Sequence, residues 1–390
     1  MTAEAYVAAH AKLASKRSTS VSTERRWSDV TTSSAPNPTL PRIPTVAETK
    51  SHPAYPTTIW QLEPDRSGLL PVAEGRGGPF NISWEIHGEG PIKMLFIMGL
   101  ASLKSAWQRQ TLFFGHEHRT RYSVLLIDNR GMGDSDKPLM RYSSSEMARD
   151  WLEVLTHVGW HDASTPSRNL NIIGVSLGGM IAQELALLIP TAISSLSLCC
   201  TAAAIENTTT FAENVTSRAS MLIPKSMDRS ITDTARQLFN HAWLPQPDDA
   251  HLPDPTTTPK CEPPVGATTY LRFETNAQRF VAQEVHKRED KARFGLKGFV
   301  LQLIAAGWHH KSPEQLRELG DKVGRERILV MHGTQDGMIS VPHGRKLIQY
   351  LEPGKGLIVE DMGHAPLVER SKWFHQTIED MCAAGEKAEF

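Results

Sequence analysis

Short, largely apolar runs bounded by turn formers recur along the chain from Tyr55 onward, and their spacing sets the reading. Ile92–Met98, Tyr122–Asp128, Leu170–Val175, Ile193–Cys199, Arg327–Met331 and Gly356–Glu360 have strand length and the continuous hydrophobicity of strands covered on both faces. Phe80–Ile86 alternates apolar and polar positions instead, which predicts an antiparallel edge strand, with a turn at Gly88–Pro91. Helical spacing fills the intervals. Met147, Trp151, Val154, Leu155 and Val158 recur on one face behind Ser143 and Glu146, which have capping-box spacing. A further helix is predicted to end at Phe114. Met180–Ile189 is apolar nearly all round and is stopped by Pro190. Pro342–Leu351 and Trp373–Ala384 complete the set. Strand and helix therefore alternate, which predicts an α/β fold with a mostly parallel central sheet flanked by helices on both faces.

The rhythm fails between Thr201 and Arg325. That block reads as helical and irregular, with a Pro- and Asp-rich loop over Leu244–Val265 and an apolar helical face at Leu296, Phe299, Val300, Leu303 and Ile304. It is expected to be an insertion between sheet strands, hence a helical lid. The expected organisation is an extension over 1–55, a first core part over 56–200, the insertion over 201–325 and a second core part over 326–390. The extension is rich in Ser, Thr, Ala and Pro, with four prolines in Thr31–Pro44 and little periodicity beyond a short helix at Ala3–Leu13, so it is read as disordered.

Composition narrows the function classes. Of 390 residues, 40% are hydrophobic, enough for a sizeable core, and a formal net charge of -1 announces no surface for nucleic acid. Four cysteines (Cys199, Cys200, Cys261 and Cys382) lack metal-ligand or disulfide-framework spacing and read as thiols in a reducing compartment. A transmembrane segment is not expected, and the N-terminus lacks a secretory pattern. The N-x-S/T triplets at Asn81, Asn207 and Asn214 are then chance matches. Lys12, Lys16 and Arg17 in an Ala-rich start raise a mitochondrial presequence, against which stand Glu4, Glu24 and Asp29; a cytoplasmic location is the expectation. A monomer or homodimer is expected.

The candidate chemistry sits at predicted strand ends. Ser176 lies between strand and helix in Gly174-Val175-Ser176-Leu177-Gly178, a sharp turn that lifts a hydroxyl to a helix N-terminus. A serine needs a base within hydrogen-bond reach and a third group to orient that base. Asp336 follows the strand Arg327–Met331, and His364 follows Gly356–Glu360, so groups far apart in sequence converge at the carboxyl ends of a parallel sheet. Asp361 and Glu360 compete with Asp336 for the acid role, but Asp361 stands too near His364 along the chain to orient it easily. The backbone N–H of Leu177, and that of Leu100 after the strand Ile92–Met98, are the candidate oxyanion donors, each worth ~3 kcal/mol in related chemistry.

The elbow Gly174–Gly178, the D-x-R-G-x-G-x-S turn at Asp128–Ser135, the G-x-x-D loop at Gly333–Asp336 and the pair Gly363-His364 together resemble the α/β-hydrolase superfamily, from Phe80 to the C-terminus apart from the insertion. The resemblance implies Ser176 as nucleophile, His364 as general base and acid, Asp336 as its orienter, and a structural role for Asp128–Ser135; no cofactor or metal is expected. Many relatives have His-Gly where this chain has Met98-Gly99, so the bonds bracing that loop are expected to differ. Serine at the elbow, where epoxide- or halide-displacing relatives carry aspartate, favours acyl transfer. The expected activity is hydrolysis of a small to medium hydrophobic ester, thioester or lactone through an acyl-enzyme; an acyltransferase and a non-catalytic binding protein are the alternatives. Elsewhere, His332 is expected to pack beneath the site, His116-Glu117-His118 to form a solvated loop, and His309-His310 to lie on the lid surface.

Overall fold

The structure is a computed structural model in which residues 40–165, 167–206 and 225–387 are described. The expected helix at Ala3–Leu13 and the sites Asn207 and Asn214 lie outside them. The strands are β1 (Gln61–Leu62), β2 (Arg66–Val72), β3 (Phe80–His87), β4 (Ile92–Ile97), β5 (Tyr122–Ile127), β6 (Leu170–Val175), β7 (Ile193–Cys199), β8 (Cys261–Glu262), β9 (Ile328–Gly333) and β10 (Lys355–Val359). The α-helices of five or more residues are α1 (Val46–Lys50), α2 (Ser144–His157), α3 (Leu177–Leu188), α4 (Met227–Leu238), α5 (Asn276–Glu289), α6 (Leu296–Gly307), α7 (Pro313–Val323), α8 (Val341–Leu351) and α9 (Ser371–Lys387).

Eight strands form one sheet in the order β10-β9-β7-β6-β4-β5-β3-β2. Pairings from β10 through β5 are parallel, whereas β3 pairs antiparallel with both β5 and β2. The continuous apolar runs have their cause in this arrangement. Leu95, Leu125, Ile172, Leu196 and Val330 face a core shared with α2, α3, α7 and α8. On the same strands Phe96, Leu126, Ile173, Cys199 and Met331 face a second core closed by α9 and the helical turns around Trp107–Phe114. Both faces are covered, and a strand in such a sheet has no polar side to show.

The structure corrects the sequence reading in four places. The alternating strand β3 is not an edge; β2 lies outside it, and Arg66–Val72 escaped notice because Gly68 and Pro71 break its pattern, as an edge strand tolerates. Residues 40–55 of the expected extension are ordered. Thr45 and Glu48 form a reciprocal capping box, the Val46 N–H donates to Asp228 at 2.7 Å, and Lys50 pairs with Glu289 at 2.9 Å. Its anchors are 182 and 239 residues away, where local periodicity cannot see them. The helix α7, inside the block read as insertion, packs Leu316, Leu319 and Val323 into the first core beside β7 and α8, as a layer helix does. Finally, α6 docks by Gly298, Gln302 and Ala305, whereas Leu296 and Ile304 of the supposed packing face are exposed.

Candidate active site

At the end of β6 the chain enters α3 through Ser176, whose φ of 57° and ψ of -123° are rare for a residue with a side chain. The turn survives because its surroundings fix it. The Ser176 N–H donates to Cys199 O at 3.0 Å, Thr201 Oγ1 donates to Ser176 O at 2.7 Å, and a Cβ on Gly178 would overlap Ile97 O. Backbone strain of this kind holds the hydroxyl out at the sheet's carboxyl edge, ahead of the unsatisfied N–H groups of α3.

The loop after β9 carries Asp336, whose carboxylate is fully engaged. Oδ1 accepts the N–H groups of Met338 at 2.9 Å and Ile339 at 2.8 Å. Oδ2 accepts His364 Nδ1 at 2.7 Å, and His332 Nε2 stands 3.2 Å from it. Burial alone would raise this carboxyl; the His364 charge and the bonds from His332 and His364 outweigh it and hold it well below the usual carboxylate range. A carboxylate only accepts, so Nδ1 of His364 carries the hydrogen, and in the neutral ring that leaves Nε2 as the acceptor. His332 Nε2 also faces Ile339 O at 2.7 Å, which fixes that ring as a donor beneath the site.

His364 is itself positioned by main chain. Its N–H donates to Leu238 O at 2.6 Å, and Glu369 accepts the neighbouring N–H of Gly363 at 3.1 Å while also accepting that of Asn240 at 3.0 Å. Asp361 plays a different part: its carboxylate accepts Gln335 Nε2 at 2.9 Å, while its carbonyl accepts Asn240 Nδ2 at 2.8 Å. Glu360 is exposed. Of the three acids considered, Asp336 alone meets the histidine ring.

Cys200 is buried behind this pair, and its sulfur, a carboxylate oxygen of Asp336 and a ring nitrogen of His364 lie within 4.8 Å of one another. These are metal-ligand atom types. Burial, with Asp336 nearby, pushes the thiol far up, so it is neutral, and the other two groups already bond each other. The trio is a hydrogen-bonded pair over a neutral thiol.

The loop after β4 runs alongside the serine: a Cβ on Gly99 would stand 2.9 Å from Ser176 Cβ. Among the described residues, no hydrogen bond takes up the N–H of Leu100 or of Leu177. The loop is braced by Asn129, whose Nδ2 donates to Met98 O at 3.0 Å and whose Oδ1 accepts Trp151 Nε1 at 3.1 Å. The turn Asp128–Ser135 supports both. Asp128 accepts the N–H groups of Lys104 at 2.8 Å and Asp134 at 3.0 Å, and Arg130 is buried against Asp150 at 2.6 Å.

Sequence reasoning missed Thr201, Asn129 and Gln302, each of which holds a loop of the site. Only Gln302 left a trace, as a lone amide in an otherwise apolar stretch of helix. Two histidine readings are corrected. His116 is buried in a helical segment, donates from Nδ1 to Pro259 O at 2.7 Å and faces His87 at 3.0 Å. His309 is buried and meets Ser144 Oγ at 2.8 Å, while His310 is exposed.

A family model described as the alpha/beta hydrolase fold matches residues 94–371. The RutD protein of Azorhizobium caulinodans, named as a carbamate hydrolase, is 33% identical over 129 residues, which is 33% of this chain and 43% of that protein. The 3-oxoadipate enol-lactonase 2 of Acinetobacter baylyi is 29% identical over 112 residues, 29% of this chain and 38% of that protein. The chain thus matches less than half the length of these curated relatives. The solved enol-lactonase from Burkholderia xenovorans LB400 shares the fold, with a TM-score of 0.57 at 20% identity, covering 81% of this chain and 100% of that one. With the match spanning most of the sheet and both loops of the site, the chain belongs to the α/β-hydrolase fold family.

Proposed function

We propose that this chain is a serine hydrolase that cleaves an ester, thioester or lactone of a small to medium hydrophobic substrate through an acyl-enzyme. The observation that supports the reading is the buried 2.7 Å bond between His364 Nδ1 and Asp336, in loops that follow β10 and β9, while the strained Ser176 follows β6 at the same carboxyl edge of the parallel sheet. His364 Nε2 takes the Ser176 proton as the hydroxyl attacks the substrate carbonyl. The new oxyanion is met by the N–H groups of Leu177 and Leu100. Collapse expels the leaving group, protonated by His364, and the same histidine then activates water to release the acid. Asp336 remains ionised throughout and holds the ring.

The names of the relatives, carbamate hydrolase and enol-lactonase, both describe attack on an acyl carbon and fit this scheme. We read the described residues 225–310 of the block expected as an insertion over 201–325 as a lid, with α7 set apart as a helix of the core. The cysteines are buried free thiols, as in a cytoplasmic enzyme, and no helix among the described residues is long and apolar enough to cross a membrane. Ser176→Ala is expected to abolish turnover of aryl esters and labelling by a fluorophosphonate probe. Labelling that persists in that variant sinks the assignment. Transfer of the acyl group to added alcohols or thiols in preference to water identifies an acyltransferase instead.

A further inference from the structure

Helix α6 reaches the loop beside the serine through one side chain. Gln302 is completely buried; its Oε1 accepts the Ala101 N–H at 3.0 Å and its Nε2 donates to Arg130 O at 2.9 Å. Both partners are main-chain groups of fixed polarity, so the amide has a single orientation. Three consecutive peptides then have distinct roles. The Met98 carbonyl is tied to Asn129, the Ala101 N–H is tied to Gln302, and the peptide between them presents the Leu100 N–H with no partner among the described residues. Ala101 itself sits at a φ of 61°, in the left-handed region that a residue with a Cβ leaves unless held.

The helix bearing Gln302 is docked as closely as backbones allow. One turn earlier, a Cβ on Gly298 would overlap Gly131 O, and Gly133 N donates to Arg293 O at 2.8 Å just before the helix starts. Phe294 and Phe299 pack on Ala101, Leu103 and Met132. An apolar residue at 302 would give the same packing. A buried amide that bonds two different loops does something packing cannot, since it fixes the rotation of a particular peptide.

We propose that Gln302 is a positioning residue for the reaction: by pinning the Ala101 N–H it aims the Leu100 N–H at the developing oxyanion. This rests on the serine-hydrolase reading above. The insertion then sets the rate of turnover as well as access to the site.

The test is Gln302→Met, which keeps the volume and removes both bonds, beside Gln302→Glu, which still accepts from Ala101. Loss of an oxyanion donor lowers kcat by about 100- to 1000-fold, so a mis-aimed one is expected to lower it about 10- to 100-fold, with KM within about threefold. The affinity for a trifluoromethyl ketone, which places an oxyanion in the same position, should fall by the same factor as kcat, while Gln302→Glu stays within about fivefold of the parent. A folded Gln302→Met enzyme whose kcat and ketone affinity both stay within threefold of the parent overturns the proposal. Should Gln302→Met not fold, Gln302→Glu decides: a kcat loss beyond tenfold at an unchanged melting temperature overturns it. Failure of the underlying reading looks different, as a parent chain whose turnover survives Ser176→Ala.

Discussion

Helices α3 and α6 are each twelve residues long and each almost entirely apolar, yet they meet opposite fates. In α3 every residue but Glu184, Leu187 and Leu188 is buried between the sheet and its neighbours. In α6 the buried residues are Gly298, Gln302 and Ala305, and Leu296 is 73% exposed. Hydrophobic content therefore says that a helix needs a partner; it does not say which face the partner takes. Close backbone approach chose the small face of α6, and a buried amide came with it. The two helices also serve the two halves of the candidate site. The one begins at the serine, on a strand end held by the core; the other touches the first core through Ala305 and holds the neighbouring loop through Gln302.

The sharpest way to break that contrast is to attack the half built on the sheet. Asp336→Asn keeps the shape of the β9 loop but can present its amide to His364, which favours the wrong tautomer. A fall in kcat of about 10⁴-fold is expected, from the measured size of the same change in a serine protease. A fall of less than tenfold in an aryl-ester assay would mean that Asp361 or Glu360 serves the histidine and that the sheet half is not as fixed as its hydrogen bonds indicate.

Next in size is a stability measurement. Leu185 of α3 has no exposed surface, and Leu185→Ala is expected to destabilise the fold by about 2–5 kcal/mol in urea titration, through lost burial plus the cavity left behind. A value near zero would show that the first core collapses around the gap and that α3 is less tightly held than α6.

How much of this was legible in the sequence follows the same division. Strands covered on both faces announce themselves as apolar runs, so β4, β5, β6, β7 and β9 were readable, and Ser176, Asp336 and His364 were readable as polar residues placed just past such runs. Strand β2 was not, because an edge strand can carry Gly68 and Pro71. The supports of the site were not readable either. Thr201, Asn129 and Gln302 act across elements, and nothing local marks a side chain whose partner is a carbonyl or an N–H tens to hundreds of residues away. The adjacent pair His309 and His310 makes the point at the shortest range. Alike in sequence, they part because only one turns inward to Ser144.

That pair offers a test by pH. Burial, with Lys311 and His310 nearby, pushes His309 down to about 3, whereas the unfolded chain titrates near its ordinary value. Between about pH 6.5 and 3 the unfolded state therefore binds a proton that the folded state refuses, and stability rises with pH across that window and is level above it. One such proton is worth up to about 1.4 kcal/mol per pH unit. His309→Asn should flatten the rise in denaturant midpoint between pH 6 and 4. An unchanged slope would mean that the C-terminal end of α6 opens to solvent and is not anchored at Ser144.

The smallest effect expected is also the one that most directly separates the two helices. Leu296 lies on the exposed face of α6, and changes at such positions usually move stability by no more than about 0.5 kcal/mol. Leu296→Ala should thus leave the denaturant midpoint and its slope where they are, although the same substitution at Leu185 costs several times more. The two residues are chemically identical and sit in helices of equal length and similar apolar character, Leu296 at the start of α6 and Leu185 inside α3, and they differ above all in what faces them. If Leu296→Ala destabilised as much as Leu185→Ala, the packing face of α6 would be the apolar one that periodicity suggested. Gln302 would then turn away from Ala101, and its hold on the Leu100 N–H would go with it.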